Sequence, residues 1–174
     1  LLALINLPTQ NYPCRALLDD IRSPYFDLSA FELDRRRADS LDEVSRYGQV
    51  IEGREQWDEV FERLALAPEL KIAEGEEELR VPSLPRGEQA VRLQNALRRF
   101  FHRVAPPGRL WPLVDWIRWL EDLLDDWRYY ELGLGERDLA SFEQFREVLR
   151  ALVLGEAVTG PQAVDYAGFA AELR

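Results

Sequence analysis

Arginine supplies the residues of this chain whose type and spacing best suit a chemical role. Three are consecutive, and a second group ends close to Trp111. Because guanidinium groups beside aromatic rings can clamp phosphates and stack on bases, these arginines are candidate DNA contacts. The candidates are Arg35, Arg36, Arg37, Arg98, Arg99, Arg103 and Arg109. Carboxylates at Glu32 and Asp34 partly neutralise the first group, so ordinary solvated helix faces are the alternative interpretation.

A run of carboxylates follows in the tryptophan-rich part of the chain. Asp122 and Asp125 stand about one helical turn apart and could offer oxygen ligands to Mg²⁺. The competing interpretation is a solvated face, because Arg118 stands three residues from both Asp115 and Glu121, a spacing that favours ion pairs. No matching acidic motif stands on a second predicted helix. The sequence therefore favours the solvated face over a metal site.

Other catalytic patterns are weak. His102 is the only histidine, and no signature for nucleophilic catalysis surrounds it, Cys14 or any serine. Glu69 and Lys71 have the spacing of half a nuclease site, but that chemistry also needs a carboxylate on a neighbouring strand. The sequence has no glycine-rich phosphate loop. We therefore expect no catalytic residue, no cofactor site and no metal site in this chain.

Charge limits how the chain could meet DNA. The 174 residues include 22 Lys and Arg against 32 Asp and Glu, a formal net charge of −10. Binding of duplex DNA by a whole surface normally needs a basic face, so only a local arginine strip is compatible with this composition. No apolar run approaches the ~18 residues of a membrane helix, and no contact with a membrane is expected.

The elements that would position these residues are predicted to be helices, because apolar residues recur at helical spacing almost throughout. The element at 110–130 carries two apolar stripes, which predicts burial against more than one neighbour and a central position. The main predicted helices are 55–66, 87–104, 110–130 and 138–154. Capping patterns predict further helix starts at Asn11, Ser29, Ser40, Asp138 and Asp165.

The predicted fold is all-α, an irregular bundle of six to eight helices forming one domain over 1–174. Prolines, glycine and an acidic run make residues 68–85 the best candidate linker. The alternative organisation is therefore two helical halves, 1–67 and 86–174.

The start of the chain has no methionine and no basic segment before its short apolar run. We therefore expect a domain excised from a larger protein, without a secretion signal. The single cysteine is consistent with a reducing compartment, and the predicted location is cytoplasmic.

Two stretches and one helix carry a family resemblance. Residues 15–26, RALLDDIRSPYF, form a predicted helix followed by an Arg-Ser-Pro-hydrophobic segment. The tail at 164–174 reads VDYAGFAAELR, and the tryptophan helix spans 111–127. Together they resemble helicase–exonuclease subunits of the AddB type, bacterial relatives of superfamily 1 DNA helicases fused to a PD-(D/E)xK nuclease domain.

The resemblance implies the helical 2B-like insertion of the second helicase core domain, in a protein of double-strand break repair. Its implied partners are DNA, the remaining helicase and nuclease domains, and a second helicase–nuclease subunit. It carries over no catalytic residue, because the family's ATP-binding, nuclease and iron–sulfur motifs lie outside such an insertion. The chain would then be non-catalytic, within a parent that is an ATP-dependent hydrolase.

The first hypothesis is therefore a non-catalytic accessory domain that positions DNA or partner domains. The alternative is a free-standing all-α module that binds a protein partner through exposed aromatic residues. A small Mg²⁺-dependent hydrolase using the Asp122 and Asp125 face is the least supported.

Overall fold

The structure, a computed structural model, describes residues 2–68, 84–129 and 135–173. These residues form an all-α fold with eight α-helices, which confirms the predicted fold class. The helices are α1 Leu2–Asn6, α2 Cys14–Ile21, α3 Arg35–Gly48, α4 Arg54–Leu66, α5 Glu88–Val104, α6 Leu113–Asp126, α7 Glu136–Thr159 and α8 Tyr166–Glu172. Within the described ranges, no helix has the length and apolar character needed to cross a membrane.

The chain divides into two compact units. Unit 1 comprises Leu1–Thr9, Pro24–Asp27 and Val104–Arg174, and unit 2 comprises Gln10–Ser23 and Leu28–Arg103. The helices on both sides of residues 68–85, α4 and α5, belong to unit 2. Most of that predicted linker lies outside the described residues.

Unit 1 is built around α6. The core gathers side chains of α1, α6, α7 and α8, with Trp116 and Leu120 fully buried at its centre. The Trp116 ring stacks on Phe169, with a centroid separation of 5.6 Å and an interplanar angle of 12°. The Trp116 indole N–H donates to the carbonyl oxygen of Val164 at 3.0 Å. The aromatic faces of α6 therefore give unit 1 both its apolar core and one internal polar anchor.

Unit 2 packs α2, α3 and α4 in sequence, together with α5. Helix α3 packs tightly against α4 at Gly48, where an added Cβ would lie 2.1 Å from Val60 Cγ2. Glycine is thus required there by packing, because any side chain would displace Val60. Trp57 and Phe61 on α4 are buried, and their rings stack with centroids 6.3 Å apart.

Several predicted helices are confirmed within a few residues. Periodicity placed helices at 55–66 and 87–104, and the structure has Arg54–Leu66 and Glu88–Val104. Asp165 caps the last helix as predicted, because its Oδ1 accepts the backbone N–H of Gly168 at 2.8 Å. Long apolar periodicity was sufficient to predict the first two of these helices, and a local cap was sufficient to predict the start of the last.

The predicted starts at Ser29 and Ser40 are wrong. Ser29–Phe31 is a single 3₁₀ turn, and Ser40 lies inside α3, where its hydroxyl bonds to the carbonyl oxygen of Arg36 at 3.3 Å. The actual cap of α3 is Asp34, whose Oδ1 accepts the backbone N–H of Arg37 at 2.7 Å. Asp34, which directly precedes the first helical residue, is the cap because its side chain accepts a hydrogen bond from a first-turn N–H that has no partner within the helix.

The predicted cap at Asn11 is also wrong. Helix α2 begins at Cys14 after Pro13, and Asn11 has a left-handed backbone with φ of 58°. The Asn11 carbonyl oxygen accepts the N–H of Gly53 at 2.7 Å, and Cys14 N–H donates to Ile51 at 2.8 Å. These pairings between distant segments set the loop geometry, and a local capping pattern cannot reveal them.

The bounds of α6 and α7 also differ from prediction. Helix α6 begins at Leu113 rather than Leu110, because the Trp111 backbone forms a short antiparallel bridge with Val164. Helix α7 begins at Glu136 after Gly135, so Asp138 lies inside it, and it runs five residues past the predicted end at Leu154. The Glu156 carboxylate then accepts the backbone N–H groups of Leu113 at 2.9 Å and Val114 at 3.1 Å. A side chain of α7 thus caps α6.

Candidate nucleic-acid interface

The first arginine group forms the first turn of α3. Because Asp34 is the N-cap, Arg35, Arg36 and Arg37 occupy the first three helical positions. The helix macrodipole places partial positive charge there, so acidic residues are favoured and cations are unfavourable. Three guanidinium groups in this turn therefore work against the stability of the helix start. Such a conflict with local preference is expected where a sequence serves binding of an anion.

These three side chains are accessible. Arg35 and Arg36 are exposed and Arg37 is half-buried. Within the described residues, none of the three forms an ion pair. Their charges are therefore available to an external anion, whereas the Asp34 carboxylate is already engaged by a backbone N–H.

An open groove of about 460 Å³ in unit 2 adds a fourth arginine. Arg36 and Arg37 line it together with Arg92 of α5. The lining residues are Asp34, Arg36, Arg37, Ser40, Pro85, Gln89, Arg92 and Leu93. Three arginines face one carboxylate in this lining, and the Gln89 amide is a further donor, whereas the Ser40 hydroxyl already donates to the Arg36 carbonyl oxygen. Guanidinium groups bind phosphate oxygens in a bidentate manner, so the groove is chemically suited to a phosphate backbone.

Arg92 was not among the candidates from sequence. Its place on the groove depends on how α5 lies beside the start of α3, and contiguous charge clusters do not report this. Arg92 also forms an exposed ion pair with Glu88, with 2.8 Å between Nη2 and Oε2. An exposed pair of this kind contributes little to stability and leaves the guanidinium free to exchange partners.

Arg98 and Arg99 on α5 diverge from one another. Arg98 Nε donates to Asp58 Oδ1 at 2.8 Å, and Gln94 donates to the same oxygen at 2.9 Å. Arg99 Nη2 lies 3.3 Å from the Phe31 carbonyl oxygen and 3.4 Å from Glu32 Oε2. Neighbours on a helix point about 100° apart, so these two arginines reach different elements rather than forming one strip.

The last two candidates have different settings. Arg103 is half-buried near the end of α5, in unit 2. Arg109 belongs to unit 1, where its guanidinium carbon lies 4.5 Å from the centroid of the Trp111 ring. An exposed cation on an indole face contributes modest binding energy and leaves the outer guanidinium face open.

The alternative chemical groups are dispersed. Asp122 and Asp125 are exposed on α6, and Arg118 pairs with Asp115 at 3.0 Å on the same helix. His102 is exposed on α5. Across residues 2–68, 84–129 and 135–173, no three His, Cys, Asp or Glu side chains converge in a way that could hold a metal ion. Glu69 and Lys71 lie outside the described residues.

Two buried groups on α2 have perturbed protonation. Burial raises the pKa of Asp20 from 3.8 to about 6, with the neighbouring Asp19 carboxylate adding to the rise. Burial also raises the pKa of the Cys14 thiol, opposed by a hydrogen bond with Ser45. A buried thiol with a raised pKa is a poor nucleophile, so Cys14 is structural rather than reactive.

Comparison with known proteins found no matching family model and no significant match among curated proteins or solved structures. The arrangement of the arginines therefore carries the functional argument.

Proposed function

We propose that this chain is a non-catalytic helical accessory domain of an ATP-dependent DNA helicase–exonuclease subunit in double-strand break repair. It contacts the DNA backbone through the groove formed by Arg36, Arg37 and Arg92. The observation that supports DNA contact is this local concentration of guanidinium groups at the start of α3, on a chain of net charge −10. The AddB-type parent is proposed from the sequence resemblance.

The mechanism is positional. Phosphate contacts fix the register and orientation of a protein on DNA without reading sequence. The acidic remainder of the chain repels the phosphate backbone, so the duplex or single strand is restricted to the arginine groove. Such a body guides DNA relative to a motor and needs no chemistry of its own.

The test is binding of a fluorescein-labelled short duplex, and of its single strand, to the full chain at several salt concentrations. The Arg36→Glu/Arg37→Glu variant should abolish binding at low salt. Because carboxylates are favoured in the first turn of a helix, this variant should keep α3 folded. The milder Arg92→Gln variant should reduce the salt slope by about one, the value expected for one lost phosphate contact.

The matched control is Arg15→Glu/Arg63→Glu, which makes the same charge change at two exposed positions of unit 2 outside the groove. Equal loss in both double variants would show a net-charge effect and contradict the site. Failure of the unmodified chain to bind either nucleic acid at low salt would contradict DNA contact altogether.

Charge reversal of Arg98 is a poor test, although the sequence suggests it. Arg98→Glu would place a carboxylate beside Asp58, which now receives donors from both Arg98 and Gln94. Loss of binding in that variant would therefore mix a folding defect with a lost contact.

The parent protein is tested separately. An antibody raised against this chain should detect, in a lysate of the source cells, a polypeptide several times heavier than 20.2 kDa. A band at the mass of this chain would contradict the helicase–exonuclease assignment and favour a free-standing interaction module.

A further inference from the structure

A second groove lies in unit 1, between α6 and α7. Its volume is about 410 Å³. Ile117 and Leu149 form a buried floor, and Val114 and Val153 are half-buried beside them. The remaining lining residues are Arg118, Glu121, Arg146, Arg150 and Leu154. The groove is therefore apolar inside and charged along its edges.

Helix α7 continues this apolar line onto the open surface. Leu154, at the edge of the groove, is 67% exposed, and Val158, one turn further on, is 88% exposed. Residues four apart lie on one helix face, so Arg146, Arg150, Leu154 and Val158 form a single stripe. Large apolar side chains with such exposure, contiguous with a groove, mark a binding surface more often than isolated ones do.

The charged residues that line the groove indicate that its partner carries negative charge. Three guanidinium groups, of Arg118, Arg146 and Arg150, stand against the single carboxylate of Glu121. Among the described residues, Arg118 pairs with Asp115 and Arg150 pairs with Glu147, each on its own helix, and these pairs are exposed. Exposed intrahelical pairs are weak, so both arginines can turn to an incoming carboxylate at little cost.

The shape favours a helix over the other occupants of an apolar, basic surface. A groove between two packed helices accepts the apolar face of a third helix, with residues at i, i+3, i+4 and i+7 entering it. A lipid bilayer needs a projecting surface rather than a groove. A two-fold pairing of the groove with itself would set the three lining arginines of each copy against one another, with a single lining carboxylate from each copy to oppose them, which is unfavourable.

We propose that the α6–α7 groove binds an amphipathic helix of a partner protein, whose apolar face fills the groove and whose acidic flanks pair with Arg118, Arg146 and Arg150. This proposal is independent of DNA binding by unit 2. It would hold whether the chain is part of a helicase–exonuclease or a free-standing module.

The experiment measures fluorescence anisotropy of a labelled synthetic peptide with the full chain. The peptide has leucines at i, i+3, i+4 and i+7 and glutamates on both flanks, and the control peptide has lysines in place of the glutamates. The glutamate peptide should bind saturably and more weakly at higher salt, and the lysine peptide should bind at least about tenfold more weakly, as like charges at an interface predict.

Two pairs of protein variants locate the site. Arg146→Glu should weaken peptide binding by about tenfold or more, whereas Arg137→Glu, an exposed position of the same helix outside the groove, should change it by less than about twofold. Leu154→Asp should weaken binding similarly, whereas Val148→Asp, also exposed and outside the groove, should not. All four substitutions are at exposed positions and should leave the helical circular dichroism unchanged.

Three results would overturn the proposal. Equal binding of the two peptides would remove the charge argument. Concentration-dependent self-association of the unmodified chain that Leu154→Asp abolishes would assign the groove to a second copy. Binding to vesicles of phosphatidylcholine and phosphatidylserine that Arg146→Glu abolishes, with no peptide binding, would assign it to a membrane surface. Because Arg36→Glu/Arg37→Glu should leave peptide binding intact, failure of this proposal is distinguishable from failure of DNA binding.

Discussion

Asp20 is a carboxyl group placed where water cannot solvate it. It is 7% exposed on α2, and within the described residues its Oδ2 has no hydrogen-bond partner. Burial makes the charged form unfavourable and holds the pKa at about 6, above the value of 3.8 for an accessible aspartate. At neutral pH the folded chain therefore carries a buried, poorly compensated charge.

The raised pKa of Asp20 determines whether stability rises or falls with pH. The folded chain binds the Asp20 proton more tightly than the unfolded chain, so this group lowers stability as pH rises from about 4 to about 6. Asp20→Asn should raise the free energy of unfolding at pH 7 by about 1–3 kcal/mol and have little effect at pH 4. Urea unfolding at both pH values, followed by far-UV circular dichroism, measures this. Asp19→Asn, at the exposed neighbour, is the control, and equal effects of the two substitutions would contradict the argument.

Single residues also show how far sequence reasoning reached the candidate site. Arg35, Arg36 and Arg37 were recognisable because they are consecutive, and the structure places two of them on the groove. Arg92 was not recognisable, because the arginines that share the groove with it, Arg36 and Arg37, lie more than fifty positions away in the chain. Arg98 and Arg99 are consecutive too, yet their side chains reach different elements. Adjacency in sequence predicts a charge cluster, but packing decides which charges converge.

At the scale of elements, the start of α6 depends on α7. Pro112 precedes α6 and its side chain offers no cap, so the first backbone N–H groups need acceptors elsewhere. Glu156 supplies both carboxylate oxygens across the helix pair, at 2.9 and 3.1 Å. A charged acceptor at a helix N-terminus gains from the macrodipole as well as from the hydrogen bonds.

Glu156→Ala should therefore destabilise unit 1 by about 1–2 kcal/mol, the range for loss of a helix cap. Glu147→Ala on the same helix removes only an exposed ion pair with Arg150 and should cost less than about 0.5 kcal/mol. Urea unfolding of both variants at neutral pH distinguishes them. A similar loss in each would show that the Glu156 contact is no stronger than a surface ion pair.

The helices whose bounds were predicted well differ from those predicted poorly in what fixes the bounds. The bounds of α4 and α5 follow a long apolar periodicity, which is visible in the amino-acid sequence itself. The start of α6 is set by a backbone bridge between Trp111 and Val164 and by a carboxylate more than forty residues away. The start of α3 was misplaced for a different reason, since Asp34 and two serines offered competing local caps. Prediction of helix bounds from sequence therefore fails in two cases: where several nearby residues could cap the helix, and where the group that fixes the bound is distant in the chain.

For the whole molecule, we expect repulsion among acidic groups to outweigh the exposed ion pairs. The formal net charge is −10, so many carboxylates have no cation to pair with. Pairs such as Arg46–Asp42 and Arg92–Glu88 are on the surface and each contributes about 0–1 kcal/mol. Salt screens both effects, and we expect the excess of like charge to dominate because it acts over a longer range.

Raising NaCl from about 20 to about 200 mM should therefore stabilise the chain by about 1 kcal/mol, or a rise in Tm of about 2–4 °C. Thermal denaturation followed by circular dichroism measures it, and KCl should give the same shift if ionic strength alone is responsible. A falling Tm would show that the ion pairs dominate instead.

The distribution of indole rings makes the two units optically distinct. Trp111, Trp116, Trp119 and Trp127 belong to unit 1, whereas unit 2 has Trp57 alone. The Trp116 ring lies 4.9 Å from Trp111 and 6.0 Å from Trp119, centroid to centroid, close enough for their excited states to couple. Such coupling produces an ellipticity band that disappears when the rings separate, so this signal reports on unit 1 alone. The difference in emission between the unmodified chain and the single variant Trp57→Phe would isolate the signal of Trp57, which reports on unit 2. The chain thus contains a separate spectroscopic reporter for each of its two units without any added label.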